Sequence, residues 1–230
     1  MADRRQKDEL EKLLAMRFAA HPWHGVSIGE KAPEEVAVFV EIVPTDSIKY
    51  ELDKASGHLK IDRPQRYSSF SPTLYGFIPQ TYCGERVGAR CCERTGLPAM
   101  NGDGDPMDIC VLSERDVSHS GVLLRARPIG GLRMIDGNQA DDKIIAVLDG
   151  DVTYAAIPDI AQAPPGMIDR LQHYFLTYKQ MPGVEKRRVE IREVYDRAEA
   201  MHMIEISQAD YADKFGDPAE RERYLLSLLR

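Results

Sequence analysis

The chain has 230 residues, and its 30 Lys and Arg against 37 Asp and Glu leave a formal net charge of −7. That length suits one large domain with a sizeable core or two small ones, and 43% hydrophobic with 29% charged residues excludes the disordered, collagen-like and membrane-spanning classes. The acidic balance opposes non-specific attraction to nucleic acid or anionic membrane, so an anionic ligand would need a local cationic pocket.

The N-terminal run MADRRQKDELEKLLAMRF is charged from its third residue and leaves no room for the apolar centre of a secretory signal, so a cytoplasmic location is expected. Leu10, Leu13, Leu14 and Phe18 recur at helical spacing over residues 3–18 and predict a packing arm, ended by His21-Pro22-Trp23-His24-Gly25. From Val36 the pattern turns to short β-rich runs, VAVFVEIV, IKYEL and HLKI, with Ser56-Gly57 as a hairpin turn between the second and third. Three antiparallel strands is the simplest expectation there. Cys83, Cys91, Cys92 and Cys110 lack paired Cys-x-x-Cys spacing and read as reduced thiols, with a disulfide or adventitious metal near Cys91-Cys92 as the alternative.

Further strands are predicted at ICVL (109–112), VLLRARPI (122–129), GLRMI (131–135), IIAVL (144–148) and RVEIREV (188–194). After Pro164-Pro165, Ile168, Leu171, Tyr174, Phe175 and Tyr178 repeat at three to four residues and predict a helix. A second helical stretch starts near Ala198, and Asp217-Pro218 reads as the cap and first-turn proline of a terminal helix. Many short strands followed by helices imply a barrel or sandwich with helices packed outside. The expected organisation is a single domain over 1–230, with 1–27 as a helical arm and 217–230 as a helical extension.

Asp103, Asp105 and Asp108 lie within six residues directly before ICVL, while Asp136, Asp141 and Asp142 lie at the start of IIAVL. Carboxylates gathered at strand mouths repel one another unless cations or protons compensate, and hard divalent cations suit such oxygens. Alone, Asp-Gly-Asp-Pro is also the sequence of a solvated turn. A calcium EF-hand loop starting at Asp103 would require Gly where Asp108 stands, and its flanks read as strand and loop. An aspartyl-phosphate phosphatase would place its nucleophile after a strand of a parallel sheet, whereas this run precedes its strand. Glu41 interrupts an apolar run, and the period of two puts Lys49 and Glu51 on one face, either as an exposed ion pair or as part of a site. Lys49, Arg63, Tyr75, Lys143, Tyr178 and Lys179 interleave with these acids; together the two sets would suit a highly charged phosphate ester or anhydride.

As a group, VEIVPTDSIKYELDKASGHLKIDR (40–63), LYGFIPQTY (74–82), DGDPMDICVL (103–112), RPIGGLRMIDGNQADDKIIAV (127–147) and HYFLTYK (173–179) resemble the soluble family I inorganic pyrophosphatases. The DGDPMD run fits the family signature Asp-x-Asp-Pro-x-Asp. The resemblance implies a mainly β fold, an OB-like five-stranded barrel with outer helices, and magnesium-dependent hydrolysis of inorganic pyrophosphate to two orthophosphates. It implies Asp103, Asp108 and Asp141 as ligands of the tightest metal, Asp108 reaching a second ion, Asp136 and Asp141 holding one that arrives with substrate, and Glu51 holding a further one. Glu41 would support these ligands, Asp105 would be the general base, and Lys49, Arg63, Lys143, Tyr178 and Lys179 would grip phosphate, with Tyr75 in the same pocket. Asp142 matches no family role. The terminal extensions and the longer stretch between Tyr82 and Asp103 depart from compact bacterial relatives, so a homo-oligomer is expected without a size. A catalytically inactive homologue is the alternative; neither a nucleic-acid nor a membrane partner is expected.

Overall fold

The computed structural model describes residues 19–180, 183 and 189–227. The helix expected over 3–18 lies outside the described residues. Strands β1 (Val36–Ile42), β4 (Leu74–Phe77), β6 (Asp108–Leu112), β9 (Lys143–Leu148) and β7 (Val122–Asp136) are hydrogen-bonded in that order, and β7 pairs back onto β1. This closes a five-stranded barrel, as the resemblance implied. Within the barrel every pairing is antiparallel except β6 with β9, and outside it the short β5 (Asn101–Gly102) pairs parallel with β8 (Gln139–Ala140). Side chains on both faces of β1 are largely buried because the barrel interior lies on one side and outer elements cover the other.

The sequence predicted two strands across 122–135, but the chain forms one 15-residue strand with a register shift between Pro128 and Gly130. Proline has no N–H for the ladder, which favours an irregularity at that point. Continuity lets β7 serve four partners: β1, β9, the short β8 (Gln139–Ala140) and β10 (Val189–Asp196). Gly130 and Gly131 are needed where β10 crosses, since a Cβ on Gly131 would sit 2.3 Å from the Tyr195 ring.

The expected three-stranded unit is also corrected. β2 (Ile48–Leu52) and β3 (Leu59–Pro64) form their own two-stranded sheet, and β1 pairs elsewhere. After β1, Val43 N–H donates to Asp46 Oδ2 at 2.8 Å and Asp46 N–H to the Val43 carbonyl at 3.0 Å, a tight turn that redirects the chain. The hairpin turn at Ser56-Gly57 stands as expected: Asp53 Oδ1 accepts from Ser56 N–H at 2.9 Å and Gly57 takes φ of 74°.

Helix α1 (Glu85–Thr95) was not foreseen; α2 (Pro165–Thr177), α3 (Arg197–Phe215) and α4 (Pro218–Ser227) follow the predicted positions. Asp196 caps α3 through Glu199 N–H at 2.9 Å, and Asp217 caps α4 through Ala219 N–H at 2.7 Å. The α2 face carrying Ile168, Leu171 and Phe175 packs on one side of the barrel, while Ala200, Met203 and Ile204 of α3 join the larger core cluster. All four cysteines are free thiols. No helix among the described residues is long and apolar enough to cross a membrane.

Candidate active site

All thirteen residues named as site candidates line one cleft of about 360 Å³ at the barrel mouth. Their elements explain the convergence. Glu41 stands near the end of β1, Lys49 and Glu51 on β2, Arg63 on β3 and Tyr75 on β4. Asp103 and Asp105 sit in the loop before β6, Asp108 opens β6, Asp136 ends β7, Asp141 precedes β9, Lys143 opens β9, and Tyr178 and Lys179 follow α2. The parallel register of β6 and β9 sets Asp108 opposite Lys143, and the ammonium lies 2.6 Å from Asp108 Oδ2.

The acidic loop is held by its own chain. Asp105 N–H donates to Asp103 Oδ1 at 2.9 Å, Gly104 N–H donates to the Cys83 carbonyl at 3.0 Å, and Gly104 takes φ of 81°, which glycine adopts without strain. Consequently Asp103, Asp108 and Asp141 each present an oxygen within 4.8 Å of the other two. Burial, then the charges of Asp141 and Asp108, push the Asp103 carboxyl up to about 9. Burial, then Asp108, pushes Glu41 up to about 8, although Glu41 Oε1 accepts the Leu52 N–H at 2.7 Å and so ties the hairpin to β1. Three crowded, partly buried oxygen donors of this kind fit a hard divalent cation.

Cationic groups are threaded among the acids. Lys49 contacts Glu51 at 3.3 Å and Asp62 at 2.8 Å, Lys54 pairs with Asp105, Lys143 bridges Asp108 and Asp141, and Lys179 meets Asp136 at 2.5 Å. Burial alone would depress the Lys143 ammonium, yet Asp108 and Asp141 hold it well above the usual lysine range. The lining carries eight carboxylates against five Lys and Arg side chains. A highly charged phosphate anion can therefore enter only with further positive charge, which fits bound metal and opposes use of this barrel as a nucleic-acid platform.

Lys54, Asp62, Gln139 and Trp23 also line the cleft and escaped the sequence reading. The β2–β3 register, which sets Lys49 opposite Arg63, was the signal for Asp62 beside it. Trp23 carried no such signal; its indole N–H donates to the Thr81 carbonyl at 2.7 Å and seats the segment before β1 against the site.

A closed five-stranded barrel whose mouth gathers metal-fitting carboxylates and phosphate-fitting cations defines the class of metal-dependent phosphate enzymes with OB-like cores. Residues 38–212 match the family described as inorganic pyrophosphatase. Inorganic pyrophosphatase of Chlamydia caviae is 48% identical over 199 residues, covering 85% of this chain and 92% of that protein. Soluble inorganic pyrophosphatase of Oryza sativa is 38% identical over 202 residues, covering 88% and 84% respectively. The crystal structure of the Thermus thermophilus inorganic pyrophosphatase superposes with a TM-score of 0.70 at 32% identity, over 84% of this chain and 99% of that one. The chain belongs to the inorganic pyrophosphatase family.

Proposed function

We infer that this protein hydrolyses inorganic pyrophosphate to two orthophosphates, and the observation that carries the reading is the Asp103, Asp108 and Asp141 cluster gathered with Lys49, Arg63, Lys143 and Lys179 in one cleft. Magnesium is the ion we propose. Asp103, Asp108 and Asp141 would hold the tightest ion, Asp108 would share a second, Asp136 and Asp141 would take one that enters with substrate, and Glu51 a further one, while Glu41 supports the ligands. Bound divalent cations lower the pKa of water toward neutrality and neutralise phosphate charge.

Within the chain, Asp105 is the proposed base: it faces the same cleft and pairs with Lys54 at its rim. It accepts a proton from the water that adds to one phosphorus, in line with the bridging oxygen, as the bond to that oxygen breaks. Arg63 presents a planar fork to phosphate oxygens, and Lys49, Lys143 and Lys179 supply point charges against the charge that develops on the leaving phosphate. Tyr178 and Tyr75 offer phenol groups whose ionisation burial opposes, so both remain neutral donors. No covalent phosphoenzyme is needed. The alternative of an inactive homologue finds no support, since every group of the set lines the cleft.

Phosphate release from pyrophosphate with magnesium, against a chelator control, tests the reading; tight pyrophosphate binding without turnover would favour the inactive alternative. A single domain, a homo-oligomer and a cytoplasmic location complete the proposal, the last supported by four free thiols.

A further inference from the structure

Asp142 lies between Asp141 and Lys143, two groups that line the cleft, yet takes no part in the chemistry above. Alternation at the entry to β9 explains the difference: Asp141 and Lys143 face the cleft, while Asp142 turns to the opposite side and is 2% exposed. There it meets Arg133 Nη1 at 3.4 Å, with both side chains fully buried. Arg133 belongs to β7, between Leu132, whose register partner is Lys143, and Met134, whose carbonyl accepts the Asp141 N–H at 2.9 Å. The guanidinium thus sits directly behind the segment that delivers Asp141.

Arg133 is itself held from several sides. Its Nε donates to Glu193 of β10 at 3.0 Å, it pairs with Glu199 of α3, and it lies 5.0 Å over the Tyr195 ring. Glu199 in turn accepts from Arg90 of α1 at 3.0 and 2.5 Å, and Glu193 pairs with Arg94. A buried ion pair adds little net stability over an apolar pair of equal volume, and fixing a position is its best-attested use. Groups that orient a metal ligand without touching the metal change affinity about 10- to 100-fold.

We propose that Asp142 is a positioning residue, anchored through Arg133 on β10, α3 and α1, which aims Asp141 into the cleft beside Asp103 and Asp108. The inference rests on the reading of Asp141 as a metal ligand. Magnesium is titrated by calorimetry into the full-length wild type, Asp142→Asn and Asp141→Asn, with thermal unfolding of each metal-free protein recorded alongside. Asp141→Asn is expected to lose the tight site, and Asp142→Asn to bind magnesium about tenfold more weakly while its kcat at saturating magnesium stays near the wild-type value. A lowered Tm with unchanged magnesium affinity in Asp142→Asn marks a merely structural residue and overturns the inference. Unchanged affinity in Asp141→Asn overturns the metal reading instead. If Asp142→Asn does not fold, Glu199→Gln, on the far side of Arg133, carries the same expectation of several-fold weaker binding, and wild-type affinity there overturns the inference equally.

Discussion

At Asp105 the proposed roles divide chemistry from metal binding. Asp105 lines the cleft and pairs with Lys54, whereas the 4.8 Å cluster is made by Asp103, Asp108 and Asp141. Asp105→Asn is therefore expected to cut turnover by about 10²- to 10⁴-fold, the usual worth of a general base, with magnesium affinity by calorimetry nearly kept. Loss of both together would place Asp105 among the ligands. Glu41 and Asp103 carry a second expectation. Burial raises Glu41 from 4.5 to about 8 and Asp103 from 3.8 to about 9. An acid whose folded pKa exceeds its unfolded one binds more protons when folded, so its stabilising contribution is lost as pH rises through that window. Glu193, held low by Arg94 and, against its partial burial, by Arg133, acts in the opposite sense only below 4.5. The Tm of metal-free protein should fall between about pH 5 and 8 at fixed ionic strength; a flat or rising profile would contradict this. The acids of DGDPMD and the lysines of short motifs were legible because each segment names its chemistry locally. Lys54 and Trp23 were not, because only the folded hairpin and the segment before β1 bring them to the cleft.

At the scale of elements, α1 shows why some structure escapes a linear reading. Its sequence ERVGARCCERT has a glycine at its fourth position and buries only Val87, Gly88 and Cys91, so it offers few apolar residues from which a helical period can be read. Its N-terminus is capped from 123 to 126 residues away: Asp210 of α3 accepts from Gly84 N–H at 3.0 Å, Arg86 N–H at 3.1 Å and Val87 N–H at 3.2 Å. Asp210 is 4% exposed, and its removal strands these donors. Asp210→Ala is expected to cost about 2 kcal/mol, combining a lost cap with unsatisfied amides, and to lower Tm by about 4–8 °C in a chain of this size. Magnesium-dependent turnover per folded molecule should remain close to wild type, since Asp210 does not line the cleft; thermal unfolding and phosphate release on the same sample check both. Elements with local signals fared better. The apolar runs of β1 and β9, the alternation of β2, the 3.6-residue period of α2 and the Asp-Pro start of α4 were all readable. The continuity of β7 and the separation of β2 from β1 were not, because pairing choice depends on a turn at Val43–Asp46 and a register shift near Pro128.

Across the whole molecule, closing the barrel gathers groups from strands and loops spread over residues 41 to 179 around one mouth, and the result is acidic. Eight carboxylates share the cleft with five cationic side chains, so divalent cations should stabilise the folded chain that binds them. At a magnesium concentration 100 times the dissociation constant the gain is about 2.7 kcal/mol for one site, visible as a raised Tm that a chelator reverses. Salt-sensitive binding of single-stranded nucleic acid, which an OB-like barrel alone would suggest, is not expected from such a mouth. The fold class was legible because many short strands followed by helices permit few closed arrangements, and the resemblance selected one of them. The most direct measurement is orthophosphate released from pyrophosphate by the wild type and by Asp105→Asn, each with magnesium and with chelator. The expected result is release by the wild type with magnesium, none with chelator, and a loss of at least about a hundredfold in Asp105→Asn. Magnesium-independent release, no release at all, or an Asp105→Asn protein as active as the wild type would contradict it.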